Sequence, residues 1–193
     1  NPRVEGGKMN ANSTEDLVQL VDFAGEEWLF YPCPKIDVAI IRGTLADENG
    51  NITLDKEGVL LEQLSIAQAA RACGGIVIAQ VEGIVQAGSL HPKSVKIPGM
   101  VVDYVVLSQP ENHMQTIATQ FNPALCGDIR IPVNSLQPMA LDERKVIARR
   151  ASLELTAGAI TNLGIGIPAG IPSIAAEEGV SELLRLSIES GVN

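Results

Sequence analysis

Glu189 closes an apolar run in "LLRLSIESGVN", where Leu184 to Ile188, with Arg185 inside, hand a carboxylate to the small polar pair Ser190-Gly191. Sites in α/β proteins gather at the carboxyl ends of strands, so an acid at such an end is a candidate catalytic carboxylate. The competing reading is a solvated surface acid. Gly164 and Gly166 lie in "GIGIP", between an expected strand and an expected helix. Glycines there let backbone N–H groups approach a ligand, and a helix N-terminus favours negative charge. The same stretch also reads as a tight turn stiffened by Pro168 and Pro172, and it matches neither GxGxxG nor a complete P-loop. His91 and His113 are the only histidines, 22 residues apart and both with prolines nearby, and no GxSxG elbow supports a serine-histidine-acid triad, so they read as structural histidines. Arg144, Lys145, Arg149 and Arg150 interleave with apolar positions and read as a solvated helix face, with contacts to an anion as the alternative. "EGGK", residues 5 to 8, reads as a loop or as an unusual backbone shape.

The elements that must position these groups follow from hydrophobic spacing. Leu17 to Phe23 partly alternate, Gly25 turns the chain and "WLFYP" resumes it, which predicts a hairpin. "IDVAIIRG" is dense enough to predict a strand buried on both faces. Asn49-Gly50 in "DENGN" predicts a tight turn in a surface loop. Residues 57–73 predict a helix with Leu60, Leu64, Ala67 and Ala70 on one side, acids early, Arg71 late and Gly74-Gly75 as the stop. "IVIAQVE" then completes a strand, helix, strand unit, which implies a parallel pair with a right-handed crossover. "MVVDYVVLS" follows the Pro98-Gly99 turn as a further strand.

The aperiodic stretch "IPVNSLQPM" places a domain boundary near Pro138. Beyond it, Asp142 is a candidate cap for the helix "ERKVIARRASLEL", with Val146, Ile147, Ala151 and Leu155 inward. "AITNLG" reads as a strand, "IGIPAGIP" as a loop, "SIAAEEG" as a short helix, and the last strand leads to Glu189. This second alternation has too few elements to complete a domain, so a truncated unit is expected.

The totals agree with an α/β protein: 193 residues, 46% apolar but only 3% aromatic, so aliphatic side chains fill the core. A formal charge of −9 argues against nucleic-acid and acidic-membrane partners. Cys33, Cys73 and Cys126 are odd in number and widely spaced, which argues against a disulfide framework or a structural zinc site and for a reducing cytoplasm. No apolar run approaches the roughly 20 residues of a membrane span.

Taken together, "NPRVEGGKMN", "ADENGNIT", "GSLHPKSVKIPGMVVDYVV" and "ERKVIARRASLELTAGAITNLGIGIPAGIPSIAAEEG" closely resemble the glutamate-dependent (class I) CoA-transferases, in particular the single-chain acetate or propionate type made of two similar halves. The resemblance spans nearly all 193 residues in the family's order. It implies an α/β CoA-transferase-like fold with a mainly parallel sheet. Residues 1–138 correspond to the latter part of the first half, and residues 139–193 to the beginning of the second. The family's early glycine-rich signature finds no match, nor does the rest of its second half, so an internal segment of a longer chain is expected.

The family's nucleophile ends a strand within an E-x-G stretch, and "IESG" matches it at Glu189. Gly164 and Gly166 match the G-x-G-x-P loop beside the family's active site, where their amides face the acyl or CoA group. The implied reaction moves CoA between a short-chain acyl-CoA and a free carboxylic acid of the acetate, propionate, butyrate or 3-oxoacid class, through a glutamyl-CoA thioester. It calls for no metal and no cofactor, since the CoA thioester is the substrate. A cytoplasmic homo-oligomer of the longer chain is the implied setting. The family's oxyanion glutamine has no match in these residues. An acyl-CoA hydrolase on the same fold and a non-catalytic segment that needs its missing parts are the alternatives.

Overall fold

The computed structural model describes residue 12 and residues 15–188, apart from the side chains of Asn134 and Ile188. Glu189, the Ser190-Gly191 pair and "EGGK" lie outside the described residues. In chain order the elements are β1 (Gln19–Phe23), β2 (Glu26–Phe30), β3 (Val38–Arg42), β4 (Leu45–Asp47), β5 (Ile52–Thr53), α1 (Gln63–Ala72), β6 (Ile76–Val81), β7 (Gly83–Val85), β8 (Val95–Ile97) and β9 (Tyr104–Leu107). After a long irregular stretch come α2 (Glu143–Ser152), β10 (Ile160–Leu163), α3 (Ile171–Glu177) and β11 (Arg185–Ile188).

β1 and β2 form the expected hairpin. Ala24 and Gly25 both take positive φ, 55° and 80°, as a two-residue turn matched to strand twist requires. The Asp22 carboxylate accepts the Gly25 N–H.

The central sheet is parallel, in the order β3-β6-β9. α1 crosses from β3 to β6 and packs Ala67 and Ala70 against Ala39, Ile41, Val77 and Ala79. It is shorter than its apolar spacing predicts. The chain turns through 57–62 instead, so Leu60 is exposed, and no acid falls in the first helical turn. Its end matches expectation: Gly74 takes φ 76°, and the Gly74 and Gly75 N–H groups donate back to the Arg71 and Ala70 carbonyls.

β3 departs from the expected burial on both faces. Ala39 and Ile41 are buried, whereas Ile40 is 76% exposed. Because β3, β6 and β9 follow one another across the sheet in a single direction, crossovers of one hand pile on a single face. α1 lies there, with β8 and the 3-10 turn Gly99–Val101 against it. The opposite face, with Val38, Ile40, Ile76, Tyr104 and Val106, stays open among the described residues. β9 also starts later than "MVVDYVVLS" implies, since residues 99–101 coil into that 3-10 turn. The Asp103 carboxylate accepts the Val77 N–H at 2.8 Å and pairs with Arg71 at 2.7 Å, tying β9 to β6 and to the end of α1.

A second sheet, β7-β4-β5-β8, is mixed and closes the core with Ala46, Ile52 and Ile97. Its β4–β5 connection is more than a surface loop. Asp47 is buried and accepts the N–H groups of Asn49, Asn51 and Gly88 and the Asn51 amide. The Asn51 side chain, more than burial can offset, holds the Asp47 carboxyl below the usual carboxylate range, with those backbone donors adding to it. Gly50 alone in the turn takes positive φ. The Asn51 side-chain oxygen then accepts the Gly99 N–H at 2.9 Å, so the turn is seated on the Gly99 backbone.

Candidate functional site

β10 and β11 pair in parallel, Ile160 opposite Arg185 and Leu163 opposite Ile188, so their carboxyl ends finish level. Gly164 follows Leu163 directly in the chain. Glu189 follows Ile188 in sequence and lies outside the described residues. Gly166 has φ 109° and ψ −126°, a conformation that L side chains rarely adopt. A Cβ there would meet nothing within 4 Å, so backbone shape rather than crowding calls for glycine. From Gly166 the chain enters a 3-10 turn, Ile167–Gly170, that runs straight into α3. Pro168 and Pro172 remove two N–H donors from this entry, leaving any anion-facing capacity to the loop backbone itself.

α2 backs this loop. Asp142 caps it as expected, its Oδ1 accepting the Lys145 N–H at 2.9 Å. Its inward face differs from the expected one. Lys145 and Ala148 are buried, while Val146 and Ile147 are exposed. The cause is an ion pair: Lys145 Nζ lies 2.7 Å from Glu177 Oε2 on α3 and donates to the Met139 carbonyl at 2.8 Å. Glu177 Oε1 accepts the Met139 N–H at 2.7 Å. Arg149 pairs with Glu178 at 3.0 Å and Arg150 with Glu154, so these members of the basic cluster bind carboxylates of their own chain. Lys145 was expected on a solvated face, and that reading is corrected.

The Lys145 hydrogen bond, joined by the Met139 N–H and opposed by burial, holds Glu177 below the usual carboxylate range, with the charges of Lys145 and Arg149 adding to it. A carboxyl depressed on folding stabilises the fold above its unfolded pKa and loses that contribution as pH falls. Urea midpoints therefore drop between neutral pH and the acidic carboxylate range. The drop is smaller in Glu177→Gln, and equal drops in both proteins would count against the pair.

A second polar cluster sits at the carboxyl ends of β3 and β6. Arg42 ends β3, and its Nε lies 3.0 Å from Glu57 Oε2. Gln80, near the end of β6, faces His113, which is only 5% exposed. The two histidines are thus unlike: His91 lies on an exposed turn, where its Nδ1 accepts the Lys93 N–H, and His113 is enclosed. Sequence reasoning passed over Arg42, Glu57 and Gln80. The available signal was a polar residue at or near the end of each of two apolar strands.

The cysteines are free thiols. Among the described residues no three His, Cys, Asp or Glu side chains gather as a metal-binding group, and no helix is long and apolar enough to cross a membrane.

Comparison with known proteins places the chain in a family. Residues 4–108 match the family described as Coenzyme A transferase. The chain is 51% identical over 191 residues to the caffeate CoA-transferase of Acetobacterium woodii, covering 98% of this chain and 36% of that protein. It is 40% identical over 190 residues to the acetate CoA-transferase YdiF of Escherichia coli K12, again covering 98% of this chain and 36% of that one. The crystal structure of the acyl-CoA transferase YdiF from E. coli O157:H7, as a thioester complex with CoA, superposes with a TM-score of 0.80 and 40% identity, over 99% of this chain and 38% of the other. The chain thus spans little more than a third of the length of these relatives. With over half of its residues inside the family match and an α/β fold shared with a solved member, the chain belongs to the coenzyme A transferase family.

Proposed function

We propose that the intact protein transfers CoA between a short-chain acyl-CoA and a free carboxylic acid of the acetate, propionate, butyrate or 3-oxoacid class, with Glu189 as nucleophile. The Glu189 carboxylate attacks the thioester carbonyl, giving a mixed anhydride and CoA thiolate. The thiolate attacks the glutamyl carbonyl, releasing the first carboxylate and leaving a glutamyl-CoA thioester. The acceptor acid reverses both steps. One thioester replaces another, so the exchange is nearly isoenergetic, and the protein supplies placement and oxyanion stabilisation rather than a metal or further cofactor.

The observation that carries this reading is the level finish of β10 and β11, with Gly164 and the glycine-dependent backbone of Gly166 beside the strand that precedes Glu189. In this proposal the Gly164 and Gly166 amides face the acyl or CoA group. Residues 1–138 and 139–193 belong to two successive domains, and the longer chain works as a cytoplasmic homo-oligomer.

The test is to trap the intermediate. Intact protein incubated with acyl-CoA and quenched should carry CoA on the peptide containing Glu189, and hydroxylamine should remove it. An adduct on another residue, or steady CoA release that no carboxylate acceptor alters, would overturn the proposal.

A further inference from the structure

The stretch after β9, residues 108–122, contains one short 3-10 turn, Pro110–Asn112, and is fastened over the carboxyl ends of β3 and β6 largely by side chains. Gln80 is the hub. Its Nε2 lies 2.8 Å from the Asn112 carbonyl, 3.0 Å from Ser108 Oγ and 3.2 Å from His113 Nδ1. Arg42, bound to Glu57, also donates to the Met114 carbonyl. Gln115 Nε2 donates to the Lys56 carbonyl at 2.8 Å.

A carbonyl only accepts, so Asn112 fixes which end of the Gln80 amide faces the stretch. That end is a donor, and an unprotonated His113 Nδ1 is the form that fits opposite it. A proton on Nδ1 would set N–H against N–H. Turning the amide over to accept that proton would set Gln80 Oε1 against the Asn112 carbonyl. The first arrangement loses the half-buried contact to His113, and the second loses the exposed bond to Asn112.

We infer that His113 is a proton-operated latch: neutral, it adds its contact to the bonds by which Gln80 holds residues 108–113, and a proton on Nδ1 breaks that contact and loosens the stretch over the carboxyl ends of β3 and β6. The charged groups around it come from every neighbouring element. Arg42 reaches in from β3, Glu57 stands 3.9 Å from His113 Nε2, and Glu82 follows β6, itself held by Lys56 at 2.6 Å. Burial, and then Arg42, hold His113 below the ordinary histidine value, while Glu57, Glu82 and the Gly43 backbone pull the other way.

The sign follows. A histidine depressed in the closed form stabilises it above the ordinary histidine value, and that contribution is lost as pH falls below it. Because ligands of α/β sheets enter at the carboxyl ends of strands, loosening would change access to that edge. The inference does not depend on the chemistry assigned to Glu189.

Amide exchange of residues 108–122 in the intact protein, corrected for intrinsic rates, tests it. On acidification past the ordinary histidine value, exchange should rise by up to about tenfold per pH unit while β10 and β11 remain protected. His113→Asn offers a non-titrating acceptor in the Nδ1 position and should flatten this rise. The same pH-dependent rise in His113→Asn would overturn the latch. In the unaltered protein the opening midpoint should coincide with the titration of the His113 ring by NMR, and a midpoint that does not track it would equally overturn the inference.

Discussion

Replacing Glu189 with alanine in the intact protein is expected to lower kcat for CoA transfer by about 10⁴-fold or more and to abolish the covalent CoA adduct. The size follows from the role. Without the carboxylate neither the anhydride nor the thioester can form, so both half-reactions are lost together, and what remains is binding and orientation. Acyl-CoA affinity should change little, because the proposed role of this carboxylate is in making bonds to the acyl group. Glu189→Asp is the more exacting variant: it keeps the chemistry but withdraws the oxygens by one methylene. Misplacement of about 1 Å costs about 10²-fold in rate, so the aspartate variant should form the adduct slowly and still turn over. Unchanged activity in Glu189→Ala would remove Glu189 from the mechanism.

The largest stability effect is expected at Gly99. A Cβ built there would lie 2.0 Å from the Asn49 carbonyl oxygen and 3.0 Å from the Gly50 carbonyl carbon, both backbone atoms that no rotamer change can move aside. Gly99→Ala must push the β4–β5 turn off its seat, straining the Asn51 to Gly99 hydrogen bond and the network around Asp47. A loss of about 3 kcal/mol is expected, at the upper end for forced overpacking. Gly88→Ala is the contrasting case. Nothing lies within 4 Å of its Cβ, but its φ is 75°, so only the left-handed backbone cost of about 1–2 kcal/mol applies. Urea unfolding measures both, and a Gly99 variant no less stable than the Gly88 variant would show that the turn yields freely.

Several parts of this structure were legible in advance because their causes are local. Asp142 precedes the first turn of α2, and its carboxylate needs to reach only three residues ahead to find the Lys145 N–H. Gly74-Gly75 ends α1 because the required positive φ and the returning hydrogen bonds lie within a few residues of each other. The strand order of β3, α1 and β6 was equally readable, since a short helical crossover leaves a parallel pair as the natural outcome.

Faces and neighbours were not legible. Ile40 and Ile41 are equally apolar, yet only Ile41 meets the helix-covered side. Val146 looks like a core residue and Lys145 a surface one, and they exchange roles because Glu177, 32 positions along the chain, stands where only Lys145 can meet it. His113 carried no local mark that Gln80, Arg42 and Glu57 would enclose it.

The sequence by itself determined the turns, the helix cap and stop, the parallel pairing of β3 with β6 and the family with its candidate nucleophile, because each rests on the torsional and hydrogen-bonding preferences of neighbouring residues or on long matching strings. Only the tertiary structure decided which face of β3 is buried, that Lys145 is a buried partner and not a surface charge, and that His113 meets Gln80. Those outcomes depend on which distant groups share a low-dielectric interior, where an ion pair or hydrogen bond outweighs the intrinsic preference of either residue.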